Sequence, residues 1–373
     1  MTTNKTKTPQ HELSVPWFWP LAAGIEMQEA GLQLFEKNMK FLEEAAGIDV
    51  PPPSEWASSN TVLLDMDTMR LRDFSRGDAD SNAVPVLVDA PYAGHSSTIA
   101  DYAPGQSLVE TLLANGLKRV LVTDWTAATS EMRDFDIDKY IAEINAVIDT
   151  LGGRAHMVGL CQGGWMSSMV AARFPGKVQS LVLAGSPIDT DAGDGPIKKM
   201  AHQLPMRFYE RMVQTGRGRM RGQFMLAGWK NMHPDVQYAG KFIDLYAHIE
   251  DKSYIKRTEQ FERWYENPID LPGIYYLQAI KLLFKENLFA KGEFTGLGRT
   301  LKPEDITCPL YLLAGESDDI TTSEQVFAAE RLFGTPRKRV EKKLVPGGHI
   351  GLFMGTKTLE EAWPGIARWI ATL

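Results

Sequence analysis

From Val84 to the C-terminus two hydrophobic patterns alternate. Val84–Ala90, Arg119–Trp125, Ala155–Leu160, Val178–Ala184 and Pro309–Ala314 are short, mainly apolar runs, and they are predicted to be strands buried on both faces. Lys139–Leu151, Gly163–Phe174, Ser323–Phe333 and Leu359–Ile370 carry apolar residues at helical spacing and are predicted to be helices. Strands alternating with helices imply an α/β fold, a mostly parallel sheet with helices on both faces. The alternation stops between Asp191 and Arg299, where the chain is rich in Met, aromatic residues and Arg and reads as mostly helical. Inserted between two strands of the sheet, this stretch is expected to lie over one end of it as a substrate-binding cap.

The first eighty residues stand apart. Leu32, Leu34, Phe35, Met39 and Leu42 make Met27–Ala46 an amphipathic helix, and Pro51–Pro53 ends it as a short rigid linker. Pro16-Trp17-Phe18-Trp19-Pro20 is expected to pack as a buried aromatic clasp. The organisation predicted is a helical extension (1–80), a first core part (81–190), a helical cap (191–300) and a second core part (301–373).

Composition narrows the class. With 373 residues, 44% hydrophobic and 23% charged, the chain can bury a sizeable core without disulfide or metal staples. Its two cysteines, Cys161 and Cys308, exclude a disulfide scaffold or a cysteine-based zinc module. A net charge of −7 argues against a nucleic-acid binder. Met1–His11 is polar, without the apolar run of a signal peptide, and Ser14–Ile25 is shorter than the about 20 residues a bilayer requires. A cytoplasmic protein without a transmembrane segment is expected.

The sharpest local chemistry is Gly159-Leu160-Cys161-Gln162-Gly163-Gly164, which follows a predicted strand and opens a predicted helix. It is the G-x-S-x-G nucleophile elbow with Cys in place of Ser. So tight a turn forces its central residue into a strained conformation, and Gly159, Gly163 and Gly164 avoid clashes around it. The Cys161 sulfur is lifted to the sheet edge beside a helix N-terminus, which favours a thiolate. The Gln162 backbone N–H points to where an oxyanion would form. The bland alternative is a buried structural thiol, which is how Cys308, preceding Pro309, is read.

Such a nucleophile needs a base and a residue orienting that base, in the chain order nucleophile, acid, histidine. Past the strand at Pro309–Ala314 lies Gly315-Glu316-Ser317-Asp318-Asp319-Ile320, and Asp318 is preferred over Asp319 as the acid. Of seven histidines only His349, in Pro346-Gly347-Gly348-His349, follows both nucleophile and acid. A second oxyanion donor is expected in Pro91-Tyr92-Ala93-Gly94-His95, from His95 or a neighbouring backbone N–H, with Gly94 letting the backbone approach a ligand.

These and further segments carry a resemblance. Pro91–His95, Thr123-Asp124-Trp125, Phe135-Asp136-Ile137-Asp138-Lys139-Tyr140-Ile141, Gly185-Ser186-Pro187-Ile188-Asp189-Thr190, Leu271-Pro272 with Tyr276-Leu277-Gln278, and Glu316–Ile320 together resemble the intracellular polyhydroxyalkanoate (PHA) depolymerases, α/β-hydrolases related to the PHA synthases. The resemblance spans roughly 84–373 and implies a cysteine nucleophile, Cys161, completed by Asp318 and His349. The elbow and Gly347-Gly348-His349-Ile350-Gly351 are closer to the synthase pattern.

Three functions follow as expectations. The first is hydrolysis of ester bonds in a poly- or oligo(3-hydroxyalkanoate) through a thioester acyl-enzyme. The second is polymerisation of hydroxyacyl-coenzyme A by the same cysteine. The third is a non-catalytic granule-binding protein. The first two need neither metal nor cofactor. The partners implied are a polyester or hydroxyacyl-oligomer substrate, a PHA granule surface and a second copy of the chain as a homodimer. Met200, Met206, Phe208, Tyr209, Met225, Trp229, Tyr275 and Tyr276 would suit an apolar substrate or the cap's own core.

Overall fold

The computed structural model describes residues 51–77, 80, 83–232, 248 and 250–373. The helix predicted at Met27–Ala46 and the clasp at Pro16–Pro20 lie outside the described residues.

Eight strands form one sheet: β1 (Thr61–Asp65), β2 (Met69–Asp73), β3 (Val86–Asp89), β4 (Val120–Trp125), β5 (Ala155–Leu160), β6 (Val178–Ala184), β7 (Leu310–Gly315) and β8 (Val340–Val345). Their spatial order is β1-β2-β4-β3-β5-β6-β7-β8. From β4 to β8 all neighbours are parallel, whereas β1 and β2 are antiparallel to each other and β2 is antiparallel to β4. The five apolar runs of the sequence are β3 to β7. All four residues of β3 and all six of β5 are buried.

Three strands correct the sequence-based expectation. Residues 61–73 form the β1–β2 hairpin rather than part of a helical extension. Strand β8, which delivers the His349 loop, has the polar sequence VEKKLV. Both sheet edges face solvent, so their strands mix polar and apolar residues and do not read as buried runs. The hairpin is tied down by the buried Glu143, whose Oε2 accepts the Thr68 N–H at 3.1 Å and the Thr68 hydroxyl at 2.5 Å.

Helices flank the sheet. The helix α1 (Leu108–Ala114) starts at Ser107, whose hydroxyl accepts the Glu110 N–H. The helix α2 (Ile137–Thr150) is capped by Asp136 and buries Ile137, Tyr140, Ile141, Ile144, Val147 and Ile148, the apolar face its spacing predicts. Then comes α3 (Gln162–Arg173), directly behind the elbow. The predicted Leu359–Ile370 helix is two, Thr356–Glu361 and Trp363–Ala371, because Pro364 has no N–H to continue the first ladder. Its Ile366 and Ile370, at most 1% exposed, each contribute roughly 1.5–3 kcal/mol by burial. The predicted Ser323–Phe333 helix likewise divides, at Ala328.

Between β6 and β7 the described insertion is mainly helical: α4 (Pro196–Gln203), α5 (Met206–Thr215), α6 (Gly222–Met232), α7 (Lys252–Tyr265) and α8 (Gly273–Gln278), which runs on as a π-helix over Ala279–Lys285. The segments of the resemblance clamp this insertion to the sheet. Gln278 Oε1 accepts the Ile137 N–H at 2.9 Å. Asn287 Nδ2 donates to Asp189 at 2.7 Å, and Arg331 pairs with the same carboxylate. Among the described residues no helix is long and apolar enough to cross a membrane.

Candidate active site

The elbow is built as its glycines require. Cys161 sits at φ 50°, ψ −116°, a region side chains other than glycine rarely enter. A Cβ on Gly159 would overlap the Gly164 backbone, one on Gly163 the Asp89 carbonyl, and one on Gly164 the Ser186 hydroxyl. The strain is thus over-determined by packing on three sides, as expected where a side chain must be presented for function. Gln162 is the first residue of α3, so its N–H has no intrahelical acceptor.

Acid and histidine meet this turn from the neighbouring strands. Asp318 follows β7, and its side chain is fully buried. Its Oδ1 accepts the N–H groups of Ile320 (3.0 Å) and Thr321 (2.9 Å), which leaves Oδ2 to accept from His349 Nδ1 at 2.8 Å. Glu316 N–H donates to the Val345 carbonyl at 2.8 Å, and Ser317 N–H to that of Gly347 at 3.2 Å, stitching the two loops together. Beneath the ring lies Gly185 at φ 55°, where a Cβ would stand 3.1 Å from His349 Cε1. Cys161 and His349 line the same cavity. Burial by itself would push His349 down, but its interactions with Cys161 and Asp318 outweigh it, holding the imidazole up at about 10. The arrangement therefore suits a sulfur nucleophile served by a strongly basic imidazole. Asp319 instead lines the cavity in front of the sulfur. Cys308 is half-buried, and burial pushes its thiol up to about 12.

The His95 reading needs correction. Its Nε2 lies 3.0 Å from the Tyr265 carbonyl oxygen, which can only accept, so the ring proton is committed there. Stacked against Trp264 and Tyr265, with its pKa pushed down to about 4 chiefly by burial, the imidazole is neutral near pH 7. Its remaining nitrogen accepts and cannot donate to an oxyanion, so the side-chain version of this prediction is set aside. Gly94 does require its glycine, at φ 95°, where a Cβ would meet the Met225 side chain, and its carbonyl accepts from Ile269 N–H at 2.8 Å.

A cavity of about 380 Å³ opens on Cys161, Gln162 and His349. The insertion supplies much of its wall, including Trp229, Phe261, Trp264, Tyr265 and Phe284. Of the insertion side chains singled out by sequence only Trp229 lines it; Phe208, Tyr209 and Tyr275 are at most 1% exposed and belong to the core. Helical spacing alone cannot separate these two sets, because both present apolar faces.

Strand order and elbow together define the α/β-hydrolase fold. A monoacylglycerol lipase of Paleococcus ferrophilus superposes with a TM-score of 0.51 at 16% identity, covering 82% of this chain and 98% of that one. Residues 185–373 match the family described as PHB de-polymerase C-terminus, half of the sequence, and the chain belongs to that family. It is also similar, at 26% identity, to the poly(3-hydroxyalkanoate) polymerase subunit PhaC of Haloferax mediterranei, with 84% of this chain and 63% of that protein aligned. The subunit of the same name from Allochromatium vinosum is likewise 26% identical, over 90% of this chain and 93% of its own length. The chain thus spans under two thirds of the first relative and nearly all of the second.

Proposed function

We propose that this protein polymerises 3-hydroxyacyl units, taking them from a hydroxyacyl-coenzyme A thioester onto Cys161. The observation that carries the reading is the buried Asp318–His349 pair, hydrogen-bonded at 2.8 Å, opening with Cys161 on one cavity. The names of the relatives favour polymerisation over the hydrolysis that the sequence resemblance put first. Cysteine suits the task, because exchanging one thioester for another is nearly balanced in energy.

In the acylation step the Cys161 sulfur attacks the thioester carbonyl. The developing oxyanion is met by the Gln162 N–H and a backbone N–H of the Ala93–His95 turn. The new sulfur–acyl bond forms as the coenzyme A sulfur leaves with the proton from His349. In the extension step His349 takes the proton of a chain-end hydroxyl, whose oxygen then attacks the thioester, forming an ester and releasing Cys161. Asp318 keeps the imidazole in the required tautomer and stabilises its cation. The apolar helical insertion acts as the cap that keeps water from replacing the hydroxyl. An insoluble product would hold the enzyme at a granule surface.

Hydrolysis of the polyester is the second reading, favoured by the description of the matched family. One experiment separates them: the protein is incubated in parallel with amorphous polymer, hydroxyacyl oligomers and hydroxyacyl-coenzyme A. Free coenzyme A with insoluble product is expected. Soluble hydroxy acid from the first two substrates, with no polymer from the third, overturns the proposal in favour of hydrolysis. Co-sedimentation without turnover would leave only a binding protein.

A further inference from the structure

The Gln162 side chain has a role distinct from its backbone. Its Oε1 accepts the hydroxyl of Tyr275 at 3.3 Å. Tyr275 comes from the insertion helix α8 and is completely buried, and burial pushes its ionisation well above the usual range, so it remains a proton donor. The only other hydrogen-bond contact of that hydroxyl, among the described residues, is the weakly accepting Met166 sulfur at 3.5 Å. The tyrosine proton therefore fixes which way the amide faces, with oxygen toward the core and nitrogen away from it. Gln162 lines the apolar cavity next to Cys161, and its Nε2 donates to no acceptor among the described residues. An oriented amide N–H₂ without a protein acceptor, facing apolar walls, recognises a ligand oxygen.

We infer that Gln162 is a specificity-determining residue: its side-chain amide donates to the 3-oxygen of an acyl chain carried on Cys161, and Tyr275 is the positioning residue that aims it. This rests on the acyl-transfer reading above. The oxygen in question is the hydroxyl of an incoming unit, or the ester oxygen that this hydroxyl has become in the growing chain. Loss of the donor should erase the preference for oxygenated chains.

The test compares 3-hydroxybutyryl-coenzyme A with butyryl-coenzyme A, reading thiol release and the mass of the acyl adduct on Cys161. The wild type should favour the hydroxylated thioester by about tenfold to a hundredfold in kcat/KM. Gln162→Leu should bring that ratio near one, slowing the hydroxylated substrate far more than butyryl-coenzyme A. Tyr275→Phe keeps the packing but frees the amide, and should lower the ratio about threefold, mainly through KM. A ratio unchanged in Gln162→Leu, whose fold is checked by the retained butyryl adduct, overturns the inference alone. Absence of adduct from either thioester on the wild type overturns the acyl-transfer reading and this inference with it.

Discussion

Replacing Asp318 by Asn tests the site at its least visible member. In the native protein Oδ1 is occupied by the Ile320 and Thr321 N–H groups, so only Oδ2 faces His349, at 2.8 Å. In the variant those backbone donors will hold the amide oxygen in the Oδ1 position, which turns the amide NH₂ group toward His349 Nδ1. That nitrogen must then accept, and the ring proton moves to the nitrogen facing Cys161, where the imidazole can no longer take the thiol proton. The lost charge adds to this. Opposite charges about 4 Å apart are worth about 4 kcal/mol at an effective dielectric of 20, and each 1.4 kcal/mol is tenfold, so the combined effect should slow the reaction by about 10³-fold. Alkylation of Cys161 by iodoacetamide at pH 7, followed by mass spectrometry, reads the effect without assuming a substrate, and thiol release from a hydroxyacyl thioester reads it in turnover. Circular dichroism should show the fold retained. A variant that reacts within threefold of the wild type in both assays would falsify the claim that Asp318 sets the state of His349.

Other outcomes follow from the same geometry. Cys161→Ala removes the main influence raising His349, so the imidazole should titrate well below the about 10 of the native pair; an unchanged ¹⁵N titration would show that the coupling is absent. His95, pushed down to about 4 from 6.5, binds its proton more readily when unfolded, so its contribution to stability is lost as pH falls from 6.5 toward 4. His95→Gln, which keeps a donor for the Tyr265 carbonyl, should flatten the fall in Tm across that window, and a wild-type slope in the variant would count against the assignment. Gly163→Ala should destabilise by about 3 kcal/mol or more because its Cβ would meet rigid backbone, whereas Gly176→Ala, with nothing within 4 Å, should change stability by less than about 1 kcal/mol in urea titrations.

The elbow turn was legible because its requirements are local. Gly159, Gly163 and Gly164 exist to relieve clashes within a six-residue turn, so contiguous residues record the geometry. Asp318 was legible for a similar reason, since it lies just past the end of an apolar run whose identity as a strand was plain. The two edges of the sheet were not. Strand β8 and the β1–β2 hairpin face solvent, so the pattern that marks a buried strand is missing from them.

His95 shows where sequence reasoning runs out. Its fate is decided by a carbonyl oxygen 170 residues away, on a helix of the insertion that also stacks two aromatic rings near it. The same limit applies to the Gln162–Tyr275 contact, which joins residues 113 positions apart. Sequence by itself determined the sheet's centre, the bend that presents the sulfur, and the order of sulfur, carboxylate and imidazole, because steric and periodic constraints act between near neighbours. Only the folded chain decided which aromatic side chains wall the cavity, which histidine nitrogen is free, and which way an amide faces, because those depend on hydrogen-bond partners brought together from distant segments.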